Sequence, residues 1–227
     1  MNYFDFEDNK SEFTFSAPHS SNIYPNGSTS KEPGDRGTKE LTLKIHELLE
    51  CNYLVSSVSR TYVDFNRDLD NCVINSFGGK KFNENLAKGE LNKRLSIHNK
   101  YFNILKSMLS KFHISIHSMN EIGGLGSPDV GMNRSQIVIS NLDGKSCSNE
   151  LLNQLCIEFE SKGFSVNLNQ PFKGGFEIKY SSKFCKSIQL EIRKDMLLSL
   201  NENLFIDQEK VDKMANAISD IVRKVLR

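Results

Sequence analysis

Residues 57–67 read SVSRTYVDFNR and follow directly on the alternating apolar run Tyr53–Val58. Alternation of that kind predicts a core strand, and the nine positions from Ser59 to Arg67 then gather two arginines, an aspartate and an asparagine at its end. An arginine offers a planar fork of donors that fits a carboxylate bidentately, so Arg60 and Arg67 are candidates for holding a small anionic ligand. The alternative is an arginine and an aspartate pairing with each other at the strand end.

Ahead of this stretch, EFTFSAPHSS places Phe13 and Phe15 in a short strand that breaks at Pro18 and leaves His19 just past its end. In α/β folds, ligands collect beyond the carboxyl ends of strands. Residues 26–38, NGSTSKEPGDRGT, form a loop leading into TKELTLKIHELLE, where Leu41, Ile45, Leu48 and Leu49 make the apolar stripe of a helix. Asp35 stands just before that helix, where a carboxylate is favoured electrostatically and often caps. His46 falls among the helix's polar positions. Residues 1–11 are polar with scattered aromatics and are expected to lie loosely on the surface.

Beyond it, residues 66–90 show no clear periodicity, and a helix is predicted from about Glu90 to Lys111. The following FHISIHSMNE sets Phe112, Ile114 and Ile116 on one strand face and His113, Ser115 and His117 on the other. Positions four apart on a strand are separated by roughly 13 Å, so His113 and His117 cannot share one metal ion, and His117 is nearer the carboxyl end. The glycine-containing EIGGLGSPDVGMNRS has no helix at the offset a dinucleotide or phosphate loop needs. A strand at SQIVIS, a helix over Ser146–Ser161, a strand at FSVNLN and a glycine turn at PFKGGF follow. In KSIQLEIRKDML, Ile188, Leu190 and Ile192 share one face while Gln189, Glu191 and Arg193 share the other. A glutamate among apolar strand neighbours is costly unless paired with an arginine or put to use. A last helix, from about Gln208 to Arg227, carries an apolar stripe from Val211 to Val225.

With 38% hydrophobic and 25% charged residues over 227 positions, the chain is expected to form a single domain, residues 1–227. Its 29 Lys+Arg against 28 Asp+Glu argue for no nucleic-acid and no membrane partner. No apolar run approaches the ~20 residues of a membrane span and MNYFDFEDNK is unlike a secretory signal, so a cytoplasmic location is expected. Five cysteines, odd in number, widely spaced and without a CxxC, read as free thiols. Strands alternating with helices predict an α/β fold, a three-layer sandwich with a central mixed sheet flanked by helices.

Taken together, APHSSNIYP, DRGTKEL, SRTYVDFNR, SIHSM, PDVGMNRS, NQPFKGGF and QLEIRKDML resemble the N-formylglutamate amidohydrolase family, related to aspartoacylase and the zinc carboxypeptidases. The strongest fragment is SRTYVDFNR, similar to the family's SR-x-x-x-D-x-NR, and the resemblance runs from about Ser16 to Leu198. It implies a zinc-carboxypeptidase-like sandwich and one zinc ion per chain, held by His19, Asp35 and His117, with Glu40 as the alternative carboxylate. Three nitrogen or oxygen ligands leave zinc a fourth position for water. The same resemblance makes Glu191 the general base, Arg60 the partner of the oxyanion, and Asn66 and Arg67 the grip on a substrate carboxylate. The implied substrate is a small anionic molecule, N-formylglutamate, cleaved to formate and glutamate. Two positions depart from the family pattern: Ser115 stands where an aspartate is common and Ser21 where a glycine is. Rival readings are a hydrolase of other N-acyl amino acids or γ-linked peptides, and a lapsed module that keeps the arginines as a carboxylate clamp.

Overall fold

The computed structural model describes residues 2–32, 34–77, 79–199 and 205–226. Its elements in chain order are β1 Phe4–Glu7, β2 Phe13–Ala17, α1 Thr38–Leu49, β3 Asn52–Ser56, β4 Ser76–Phe77, β5 Lys80–Lys81, α2 Lys88–Met108, β6 Phe112–Met119, β7 Ile137–Ser140, α3 Asn149–Ser161, β8 Val166–Leu168, α4 Phe176–Ser181, β9 Lys186–Arg193 and α5 Gln208–Val225. A single turn of 3₁₀ helix, Lys194–Met196, follows β9.

Seven strands form one mixed sheet in the order β1-β3-β2-β6-β9-β7-β8, and β4 and β5 make a separate small hairpin. The central β3, β2, β6 and β9 run parallel, while β1 and β7 run antiparallel to their inner neighbours. Helices cover both faces, as the alternation of strand and helix predicts. Phe13 and Phe15 of β2, Ile114 and Ile116 of β6, and Ile188, Leu190 and Ile192 of β9 pack against α1, α3 and α5. On the opposite face Phe4, Leu54 and Phe65 pack against Ile97, Tyr101, Phe102 and Leu105 of α2, with Phe176 and Tyr180 of α4 alongside.

Local chemistry accounts for the element ends. Ser148 accepts from the Leu151 amide and Asp207 from that of Lys210, satisfying first-turn donors of α3 and α5. Three expectations are revised. Residues 1–11 are not merely loose on the surface: Phe4 to Glu7 pair with β3 as an edge strand, and Phe4 is 3% exposed, edge-on to Phe65 and Tyr101. The PFKGGF turn runs directly into α4, a helix too short to show a periodic stripe. The aperiodic 66–90 segment holds the β4–β5 hairpin. The expected helix end at Arg227 lies outside the described residues.

The sheet fixes where chemistry can sit. All four parallel strands end on one side: β2 beside His19, β3 at the SRTYVDFNR loop, β6 at His117 and β9 at Glu191. His117 and Glu191 are direct partners in the β6–β9 register. The opposite strand faces are apolar, so His113, Ser115 and His117 share a polar face with Ser187, Gln189 and Glu191.

Candidate metal centre and active-site cleft

His19 follows the break at Pro18, and its imidazole is 2% exposed. Its Nε2 lies 2.7 Å from Oδ1 of Asp64, a fully buried carboxylate of the SRTYVDFNR loop. A carboxylate beside Nε2 holds a proton on that nitrogen, so Nδ1 is the one that can serve as a metal ligand. There Nδ1 stands 3.3 Å from Asp35 Oδ2. From β6, His117 Nδ1 approaches the same oxygen at 2.9 Å, and the two rings meet edge to face at 4.9 Å. One atom from each of His19, Asp35 and His117 falls within a 4.8 Å cluster.

Asp35 does not cap α1. The helix begins at Gly37 without a side-chain cap, and the Asp35 carboxylate turns to the two histidines instead. Its loop is docked by an Asp35 amide bond to the His19 carbonyl, 2.9 Å. The preceding Gly34 sits at φ +68°, and a Cβ there would press on the His19 and Ser21 carbonyl oxygens at 2.8 and 2.9 Å. Glu40, the alternative carboxylate, is in the first turn of α1 and belongs neither to this cluster nor to the cleft lining.

The electrostatics follow from burial and pairing. Burial pushes the Asp35 carboxyl upward, yet hydrogen bonds and charge from His117 and His19 hold it well below the usual carboxylate range. Burial opposes ionisation of Asp64 too, and Arg60 with His19 overrides it. For His19, burial and Arg60 push the pKa down while Asp64 and Asp35 push it up and prevail. Two imidazole nitrogens and a carboxylate oxygen converging on one point are a donor set that fits a divalent cation such as zinc.

Around this cluster opens a cleft of about 870 Å³, lined among others by Arg60, Asn66, Arg67, Gln189, Glu191 and Lys194. Glu191 accepts from Gln189 Nε2 at 2.8 Å, and burial raises its carboxyl above the ordinary glutamate range. Arg60 binds Asp64 Oδ2 through Nη2 at 2.8 Å and Nε at 3.3 Å, with its guanidinium over the Phe77 ring. The pairing of arginine with aspartate therefore occurs, and within the cleft. Arg67 approaches Asp64 only through Nε, at 3.3 Å, and its side chain is 44% exposed. Asn66 turns its amide largely toward the protein, accepting from the Glu177 amide at 3.1 Å and donating to Gln189 Oε1 at 3.3 Å. Gly175 is required beside it, since a Cβ there would lie 2.0 Å from Asn66 Oδ1.

His113 stays outside the cluster. It sits between the Ser16 and Ser181 hydroxyls at 2.8 and 2.7 Å, and burial lowers its pKa. Three groups of this region go beyond the residues singled out from sequence. Asp64 was visible only as a partner for arginine, because its distance to His19 is a relation between loops 45 residues apart. Lys194, in the turn after β9, lines the cleft with an ammonium that makes no hydrogen bond or ion pair among the described residues, and burial lowers its pKa. Glu177 lies behind Ser115, on the short α4.

A family model described as N-formylglutamate amidohydrolase matches residues 11–198. No curated protein sequence matches the chain. Among solved structures, an N-formylglutamate amidohydrolase from Ralstonia eutropha JMP134 superposes with a TM-score of 0.79 at 18% identity, covering 99% of each chain. A gene product of Agrobacterium tumefaciens gives 0.76 at 17% identity over 100% of this chain and 95% of the other. At such identities the structural likeness carries the α/β sandwich, while the family match covers most of the length. Among the described residues no helix is long and apolar enough to cross a membrane. On the family match, the chain is a member of the N-formylglutamate amidohydrolase family, enzymes that act on an amide bond.

Proposed function

We propose that the chain hydrolyses the amide of N-formylglutamate to formate and glutamate, with a single zinc ion held by His19, Asp35 and His117. The observation that carries this reading is the convergence of both Nδ1 atoms on Asp35 Oδ2 at 3.3 and 2.9 Å, with Glu191 lining the same cleft. The chemistry such an ion would supply there is Lewis-acid polarisation of the formyl carbonyl and activation of the attacking water. Glu191 takes the proton from the attacking water and delivers it to the departing amine nitrogen. Burial raises its carboxyl, which suits a group that must both accept and return a proton. Gln189 fixes one carboxylate oxygen and leaves the other for that task. Arg60, held by Asp64, stabilises negative charge developing on the carbonyl oxygen. Arg67 grips a substrate carboxylate and sets its register, with Asn66 beside it bracing the glycine turn.

Formate release from N-formyl-L-glutamate, measured as purified, after chelation and after zinc is restored, tests the proposal. Activity that falls and returns with the metal is expected. No formate while zinc is demonstrably bound would overturn the substrate assignment and favour other N-acyl amino acids or peptides on the same site.

A further inference from the structure

Behind His117 lies a chain of buried groups that the reaction does not use. Its Nε2 is 3.0 Å from the Ser115 hydroxyl oxygen. Ser115 in turn donates to Glu177 Oε2, and Tyr101 donates its phenolic proton to Glu177 Oε1. Tyr101, Ser115 and Glu177 are each 0% exposed. Among the described residues no cation lies within ion-pair distance of Glu177, an expensive place for a carboxylate unless its charge is used.

The hydroxyl decides the direction of the bonds. Ser115 has one proton, and it goes to Glu177, so the oxygen is left only as an acceptor toward the imidazole. Nε2 of His117 must then carry a ring proton, so Nδ1, the nitrogen that faces Asp35, is the one left to bind an ion. Asn66 Nδ2, 3.5 Å from the same nitrogen, has a nearer acceptor in Gln189 Oε1 at 3.3 Å. His19 is oriented directly by Asp64, whereas His117 has its carboxylate one hydroxyl further away.

We propose that Glu177 is a positioning residue for the metal centre, acting through Ser115 to hold His117 in the Nε2-protonated form that presents Nδ1 to the ion. The inference rests on the metal reading given above. It places an orienting carboxylate on α4, at a residue pair linked by no sequence motif.

Zinc affinity of the full chain, measured by chelator competition, provides the test. Ser115→Ala and Glu177→Gln are each expected to weaken binding roughly 10- to 100-fold. The double variant should be no weaker than the worse single one, since both interrupt one path. Ser115→Asp in the Glu177→Gln background should recover most of the loss by moving the carboxylate beside the imidazole. In zinc-loaded protein the His117 Nε2 proton, read by ¹H–¹⁵N NMR, should lie downfield and exchange slowly in the parent and lose both properties in Ser115→Ala. That readout stands even where Glu177→Gln does not fold. Parent-like zinc affinity in both single variants, losses that multiply in the double, or an unchanged Nε2 proton signal would overturn the relay. A parent protein that binds no zinc would instead remove the metal reading itself.

Discussion

Asp64 and His19 meet at 2.7 Å with both side chains buried, and the same carboxylate holds Arg60 through its second oxygen at 2.8 Å. One aspartate thus connects the proposed metal ligand to the proposed oxyanion partner. Asp64→Asn should weaken zinc binding by roughly 10- to 100-fold. It should also cost about 3 kcal/mol of stability, because a buried pair loses one member while the other stays charged. Chelator competition and urea unfolding of the metal-free protein measure the two effects separately; parent-like zinc binding would contradict the orienting role.

Glu191→Gln separates chemistry from binding. The variant should retain its metal, because Glu191 is not among the clustered ligand atoms. Turnover should fall by about 10²- to 10⁴-fold, the usual contribution of a positioned general base. Metal content and formate release on one preparation decide it, and parent-like turnover would move the base elsewhere.

In the cleft, Arg67 pairs only with Asp64, at 3.3 Å through Nε, and the Lys194 ammonium has no partner among the described residues. Arg67→Ala and Lys194→Met should each raise KM about 10- to 100-fold, the size of a lost charge-assisted hydrogen bond, with kcat nearly preserved. Steady-state kinetics on substrates with one and with two carboxylates would show which cation reads which group. A fall in kcat at unchanged KM would instead place the residue at the reacting bond.

Acid should loosen the 121–134 loop before it loosens the sheet. Arg134 grips both oxygens of Asp129 at 2.7 Å, and those bonds, against a smaller effect of burial, hold the carboxyl at about 2. The folded pKa lies below the ~3.9 of an unfolded aspartate, so the stabilisation is complete above that value and is lost as pH falls through about 2. Amide exchange at Gly123 and Gly131, bonded across the loop at 2.9 and 2.8 Å, should lose protection over that window while β6 keeps its own. In Asp129→Asn, protection should be low throughout, without the pH step.

Phe4→Ala should cost about 3 kcal/mol, the range for truncating a buried aromatic, although a loose surface segment would predict almost no change. Its ring sits 5.6 Å from Phe65 and 5.5 Å from Tyr101, and Phe65 adjoins Asp64 in the chain. Thermal unfolding of the variant reads the cost.

Much of the site was legible because period-two alternation needs no knowledge of distant partners. FHISIH and KSIQLEIR each set apolar and polar faces, and the β6–β9 pairing only had to bring His117 opposite Glu191. The spacing also sets His113 apart from His117, and the fold places His113 among serines. Other features depend on how loops meet and leave no periodic trace. Asp35 looked like a helix cap because the line of sequence shows the helix and not the two histidines approaching from β2 and β6. Glu177 hid in a helix of six residues behind a glycine turn. The antiparallel edge strand β1 is only four residues long, too short to assert itself among polar neighbours.

The direction of β1 has a practical consequence. Because it runs back along β3, the Tyr3 carbonyl accepts from Ser57, at the doorway of the SRTYVDFNR loop. A polyhistidine tag fused ahead of Tyr3 would therefore leave from the same end of the sheet as the His19–Asp35–His117 cluster and offer its own imidazoles to the proposed zinc. At the rear of α5, where Arg223 reaches the Leu48 carbonyl beside the amino end of β3, the same tag would leave from the far side of the sheet. Metal stoichiometry and affinity are best measured on protein tagged there.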